Sequence, residues 1–308
     1  MRLPLPVFAV LLSITVAVHA DPTPTTRPGD LPFPPVYTAK VASTPRFYQR
    51  DPRMDLSVAG DNFCVPTSAS DSFVYFATHG FDRLVPIDSG DLEIVQGELV
   101  KTLASPGYMS TNADTGTTPS NALTGIFRYV QEHGYLCRRL EYAGWRPLQR
   151  RWSSAAVAPV LNLNWIKAVV AAPNGTAWLE IGYYIHGDSP GQWRRVRGHC
   201  VVVVGYGTDG TRTDGRIFLV DNPAVGAMVP ATPEQQANGM KWRPVTLPDQ
   251  AITLTPTGSL QLFGEKSITP RNVSQLFQVD GPGVPYSRKK YAAAFIDGAV
   301  ILVIGHPS

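Results

Sequence analysis

Apolar residues recur at helical spacing through the first half of the chain. From about residue 175 onward they gather instead into short runs dense in β-branched and aromatic side chains. Four helices are predicted. CVPTSASDSFVYFATHG (64–80) carries Pro66 in its first turn and closes on Gly80. SGDLEIVQGELVKTLA (89–104) opens on a Ser/Asp cap, and PSNALTGIFRYVQEHGY (119–135) has Ser120 or Asn121 as cap and Gly134 as stop. NLNWIKAVVAAPNG (162–175) is a shorter fourth helix ended by a Pro-Asn-Gly turn. The strand-like runs are TAWLEIGYYI (176–185), GHCVVVVGYG (198–207) and RIFLVDNP (216–223). They continue with AITLTPTGSLQLFG (251–264), VSQLFQV (273–279), AAAFIDG (292–298) and AVILVIG (299–305). AVGAMVPATPEQQANGMKWRPVTLP (224–248) reads as a long loop or insertion. Helices followed by strands predict an α+β fold with one domain of catalytic size.

The two ends of this pattern are unlike. Residues 1–20 pair Arg2 with the apolar run VFAVLLSITVAV and end on VHA, the form of an export signal cleaved after Ala20. Residues 21–45 are rich in Pro and Thr and predict a linker, leaving 46–308 as the folded domain. Export implies a periplasmic or extracellular protein, and no later run is long enough for stable membrane insertion.

Composition narrows the function. The net charge is +3 without a basic run, which leaves no electrostatic footprint for nucleic acid. Cys64, Cys137 and Cys200 are the three cysteines. An exported chain permits disulfides, and an odd count suggests one pair plus one free thiol. Neither C-x-x-C nor a His/Cys cluster of metal-ligand spacing occurs, so no structural zinc site is expected.

Thiol chemistry needs a thiolate, a base and a group that fixes the base. Cys64 starts the first predicted helix, where unpaired N–H groups and the helix dipole favour an anion. Of the six histidines, His19 falls in the export signal, and His79 and His133 read as helix C-terminal residues. His186 lies in a turn and His306 in the tail. His199 stands at the mouth of four consecutive valines, where a strand would aim it rigidly. If 198–207 and 216–223 pair as a hairpin, Asp221 or Asn222 returns close to His199 and can accept from one ring nitrogen.

These residues occur in an order that resembles papain-like cysteine peptidases. The likeness is to the bacterial branch of bacteriocin-leader, double-glycine-type peptidases and their secreted relatives. It rests on Cys64-Val65-Pro66-Thr67-Ser68, on GHCVVVVGYG and on LVDNP, with GYMSTNADTGTTPSNALTGIFRYVQEHGY between them, and spans about Asn62 to Pro223. The resemblance implies a papain-like fold, with N-terminal helices packed on a mainly antiparallel sheet. It also implies a cofactor-free cysteine hydrolase acting on a peptide or protein substrate. Cys64 would be the nucleophile, His199 the base and Asn222 the orienting residue, with Asp221 as the alternative. Side chains alternate along a strand, so one of those two can face His199. Val65 stands where the family usually has Gly, and Val58 where it has the Gln that donates to the oxyanion. Asn62, two residues before Cys64, is the candidate replacement donor. With Cys64 as nucleophile, Cys137 and Cys200 are left as a disulfide or as two buried thiols. The departures also motivate an alternative: a weak or inactive binding or effector module on the same scaffold. The triad is equally compatible with transglutaminase or other amidase chemistry.

Overall fold

The computed structural model describes residues 33–40, 43–87, 92–230, 232–237, 242–246, 250–281 and 290–307. The export signal (1–20) and the first part of the predicted linker lie outside the described residues. The fold is α+β. In chain order the elements are α1 (Cys64–Ala77), α2 (Leu92–Ala104), α3 (Pro119–Glu132), β1 (Leu136–Gly144), β2 (Ala156–Ala158), α4 (Leu163–Ala171), β3 (Gly175–His186), β4 (Gln192–Thr208) and β5 (Thr213–Asp221). They continue with β6 (Gly226–Pro230), α5 (Pro233–Ala237), β7 (Trp242–Thr246), β8 (Gln250–Pro256), β9 (Leu260–Phe263), β10 (Arg271–Val273), β11 (Phe277–Asp280) and β12 (Ala293–Gly305).

Ten strands form one mixed sheet in which antiparallel pairs predominate; β1–β2 and β4–β9 are parallel. The pairings β4–β5, β5–β8, β8–β11, β11–β12, β12–β3 and β3–β4 close a ring of strands. Every ring strand sends residues into one apolar core, among them Leu179, Val201, Val220, Leu254, Val279 and Ile301, and α4 seals it with Trp165, Ile166 and Val170. The opposite faces of β3, β4 and β12 present Trp178, Cys200, Val202, Val300 and Leu302 to α1, α2 and α3. This period-2 division of side chains positions the site, because it sends neighbouring residues of β4 to different surroundings.

Helix α1 is buried from Pro66 to Ala77 although it is rich in Ser and Thr. Its hydroxyls return their hydrogen bonds inside the protein, as burial requires. Thr67 donates to the Phe63 carbonyl (2.8 Å), Ser70 to the Thr67 carbonyl (2.7 Å) and Ser68 to the Cys200 carbonyl (3.2 Å). Ser72 bonds Thr176 of β3 at 2.9 Å. The helix is therefore fixed to the sheet by polar as well as apolar contacts.

Several expectations change at the ends of elements. The cap of α3 is Thr118, not Ser120 or Asn121: its hydroxyl accepts from the Asn121 N–H at 3.3 Å and Pro119 takes the first helical position. Gly134 does stop the helix, at φ +75°. The runs 292–298 and 299–305 form one strand, β12, and the segment 224–248 contains the β6–β7 hairpin and α5 rather than an open loop. Strand β1 was not expected, because LCRRLEYAG lacks a clean apolar alternation. Within the predicted linker, Tyr37 pairs with Tyr206 through backbone bonds of 3.0 and 2.7 Å, and their rings stack at 5.8 Å. Lys40 is buried and donates to the Gly175 carbonyl. This part of the segment packs on the folded body.

The Cys137–Cys200 disulfide is not present; all three cysteines are free. Cys137 lies on β1 and Cys200 on β4, with β12 and β3 between them. Three interstrand spacings place them about 14 Å apart before any offset along the strands, beyond the roughly 7 Å that a disulfide can bridge. Cys200 is buried, Cys137 half-buried. Titration of unfolded, unreduced protein with a thiol reagent is therefore expected to count three thiols per chain. A count of one would show that a pair had oxidised.

Among the described residues, no helix is long and apolar enough to cross a membrane.

Candidate active site

Strand β4 is longer than its neighbours on one side. Strand β9 covers Gln192–Arg194, and β5 reaches only from Thr208 to Val202, opposite Asp221. Between these contacts β4 borders a groove of about 780 Å3, walled across by the N-terminus of α1 and the loop 113–118. Cys64, His199 and Cys200 all line it. The hairpin that the sequence suggested thus delivers Asp221 and Asn222 to the place where β5 leaves β4.

Asn222, not Asp221, meets the histidine: His199 Nε2 lies 2.7 Å from Asn222 Oδ1. The same Oδ1 accepts from the Ala224 backbone N–H at 3.0 Å. A backbone N–H can only donate, so the amide atom is an oxygen and the His199 proton must sit on Nε2. The neutral ring then keeps Nδ1 as a lone-pair acceptor. Both residues are buried, with His199 8% and Asn222 6% exposed. Burial pushes the His199 pKa down to about 4, against the Asn222 bond that favours the cation; Arg197 and Arg50 lower it further.

No side chain caps α1 at Phe63, so its first N–H groups stay open, and Pro66 has none. The Cys64 thiol takes advantage of this position. Burial pushes its pKa up, opposed by backbone N–H groups of Cys200, Val65 and Cys64 itself and by the positive charge of Arg197. Desolvation acts against charge on both groups; both line the groove, and among the described residues no hydrogen bond joins the Cys64 thiol to the His199 ring. An anion formed at Cys64 has its donors already in place.

Asn62 lines the groove near Cys64, but its Nδ2 donates to the Ala113 carbonyl at 2.5 Å. One of its two amide hydrogens is thus committed to holding the 113–118 loop. That loop is built on Asn112, whose Oδ1 accepts from the N–H groups of Asp114 and Thr115 at 2.8 and 2.9 Å. Asp221 turns the other way, to a carboxyl–carboxyl hydrogen bond with Asp71 of α1. Gln96 of α2 donates to Asp71 at 2.5 Å. Asp71 is held well above the usual carboxylate range, first by burial and then by the charge of Asp221. His79 and His133 donate to the Tyr75 and Tyr129 carbonyls, at 2.7 and 2.8 Å, and have no part in the groove.

Sequence reasoning overlooked Glu180, Arg146, Arg195 and Arg197, which also line the groove. Glu180 did carry a signal, as the one charged residue in the run 176–185. The arginines carried none, because only the register of β4 and the chain reversal after β1 bring them in. Among the described residues, no group of three or more His, Cys, Asp or Glu side chains could hold a metal ion. No family model matches the chain, and neither a curated protein nor a solved structure matches it.

Proposed function

We propose that the protein is an exported cysteine hydrolase of papain-like type, cleaving peptide or related amide bonds through Cys64, His199 and Asn222. The observation that carries this reading is the 2.7 Å contact from His199 Nε2 to Asn222 Oδ1, with the oxygen identified by the Ala224 N–H, in the groove that Cys64 lines from a helix N-terminus. The papain-like assignment draws support from a cysteine-bearing helix set against strands that carry the histidine and asparagine.

In this mechanism the Cys64 thiol proton passes to His199 Nδ1 and the sulfur attacks the substrate carbonyl carbon. The carbonyl π electrons move to oxygen. The resulting oxyanion is met by the Cys64 N–H and by the second amide hydrogen of Asn62. Collapse restores the carbonyl and expels the amine, which takes the proton from His199. Water, giving its proton to Nδ1, attacks the thioester, and the departing thiolate takes that proton back. Asn222 holds the ring through its Nε2–H and leaves Nδ1 free to exchange the proton throughout. The transglutaminase-type outcome stands second, because it requires an amine acceptor to replace water.

The test is alkylation combined with turnover. Iodoacetamide is expected to modify Cys64 at least tenfold faster than Cys137, and the modified protein to lose all hydrolysis of a mixed fluorogenic peptide library. The Cys64→Ala variant is expected to be equally inert. Full turnover by Cys64→Ala, or labelling of Cys64 no faster than of Cys137, would defeat the proposal.

A further inference from the structure

Glu180 has no role in the chemistry above, yet it is the groove's least satisfied group. It lies in the middle of β3, paired in register with Cys200 and one residue from the partner of His199. Its side chain is 8% exposed, and its Oε2 is buried with no hydrogen-bond partner. On one side it borders the catalytic groove. On the other it closes an apolar hollow of about 10 Å3, formed with Val65, Ala69, Ala122, Ile126 and Trp178, too small for more than a single water. Solvent therefore does little to complete its coordination, and the open approach is from the groove.

The surrounding charges leave Glu180 over. Arg195 is committed, with Nε on Asp297 Oδ2 at 2.5 Å and Nη1 on Glu265. Asp297 is further filled by the Trp145 Nε1–H at 3.0 Å and the Tyr184 hydroxyl. Arg146 acts on Glu180 only at longer range, and among the described residues no ion pair reaches Glu180. Arg197 and Lys266 also line the groove, and among the described residues neither forms an ion pair with Glu180. The carboxylate of Glu180 is thus left without a partner while its neighbours Glu265 and Asp297 share Arg195. The Tyr142 hydroxyl and the Cys200 thiol, which also face Glu180, are both held neutral by burial.

We propose that Glu180 is a specificity-determining residue, accepting hydrogen bonds from the ammonium or guanidinium group of a substrate side chain laid in the groove beside Cys64. The inference rests on the hydrolase reading for the word substrate, but the recognition itself does not require turnover. A Lys or Arg side chain suits the place because its aliphatic stem can lie on apolar wall such as Val65 while its head reaches the carboxylate. Burial, ahead of the opposing charge of Arg146, raises the Glu180 pKa to about 7. The empty site is therefore partly protonated at neutral pH, and a bound cation makes it ionise.

The experiment measures binding of fluorescein-labelled tripeptides to the full-length Cys64→Ala protein by anisotropy. One position in turn is Arg, citrulline or Glu, and the other two are Ala. At pH 8 an Arg peptide is expected to bind at least tenfold tighter than its citrulline counterpart at one position. That ratio should fall toward one at pH 5.5. Adding Glu180→Gln should bring the ratio to one at both pH values, and Glu180→Asp should restore part of it, which separates lost charge from lost folding. Equal binding of Arg and citrulline peptides, tighter binding of the Glu peptides, or a ratio that survives Glu180→Gln would overturn the proposal. Turnover by the unmodified protein is scored separately. A retained Arg preference without hydrolysis defeats the hydrolase reading and supports the subsite; hydrolysis without the preference defeats the subsite alone.

Discussion

Replacing His199 by alanine is expected to lower kcat/KM toward a cleavable peptide by about four to six orders of magnitude, the scale on which a nucleophile–base pair fails when one member is lost. The reason is specific to this site. Burial raises the Cys64 pKa, so the thiolate does not form by dissociation to water at neutral pH and the proton has to be taken by a neighbour. Asn222→Ala should cost less, about 100-fold, because the ring stays in the groove but loses the contact that selects its tautomer and orientation. The pH profile carries a second signature. His199 must be neutral to accept the proton, and its pKa is pushed down to about 4. The folded value lies below the ordinary one, so the base stays competent until the pH falls through about 4. Measured kcat/KM should be flat from pH 7 to pH 5 and decline below that. A decline centred near the ordinary histidine value of about 6.5 would show a solvated ring and sink the account of a buried base.

How much of this was legible in the sequence follows from which interactions are local. Helices α1, α3 and α4 and strands β3, β4 and β5 declare themselves through periodicity and through Gly and Pro at their ends, which are properties of short segments. The candidate triad was legible for the same reason. Cys64 is marked by a helix start, His199 by a strand start, and the Asp221-Asn222 alternative needed only the hairpin between two strands close in sequence. Which of the two faces His199 was left open by the residues alone, and only the family resemblance put Asn222 first. The choice depends on the register that sets Asp221 opposite Val202, and on Asp71 reaching Asp221 from a helix far away in sequence. The ring closure was also hidden, since β3–β12 and β11–β12 join segments distant along the chain. The expected disulfide failed on that point: counting cysteines says nothing of how many strands will stand between them. Thr118 was passed over as a cap because Ser120 and Asn121 offered the same chemistry within three residues. Glu180 was visible but read as part of a strand, because an unsatisfied carboxylate is a property of its surroundings rather than of its neighbours in sequence.

The Asp71–Asp221 pair makes the second large effect one of stability. Asp71 is fully buried and bonded to a second carboxyl, so the pair needs one shared proton. In the unfolded chain that proton is lost near pH 3.9, whereas in the folded protein it is retained well above that value. The direction of the effect follows from this raised pKa. Stability from the pair is complete below the unfolded pKa and is lost as pH rises toward and through the folded one. Between the two values the loss runs at about 1.4 kcal/mol per pH unit, because the folded state holds one proton that the unfolded state does not. Asp71→Asn replaces the shared proton with a permanent amide donor to Asp221, and its carbonyl can still accept from Gln96. The variant is therefore expected to gain on the wild type as pH rises, with a difference in unfolding free energy that is near zero at pH 4 and grows until the pH passes the raised pKa of the folded pair. Urea unfolding at pH 4, 6 and 8 measures that difference directly. Two parallel pH curves would show that the carboxyls do not share a proton. Asp71→Ala separates proton from packing: it strips Gln96 and Asp221 of a partner and should destabilise at pH 4, where Asp71→Asn is neutral, by about 1–3 kcal/mol. The pair joins the helix that begins at Cys64 to the strand end that continues into Asn222. The loss of stability that grows as pH rises would therefore begin at the joint between the proposed nucleophile and its orienting residue, not at the periphery of the fold.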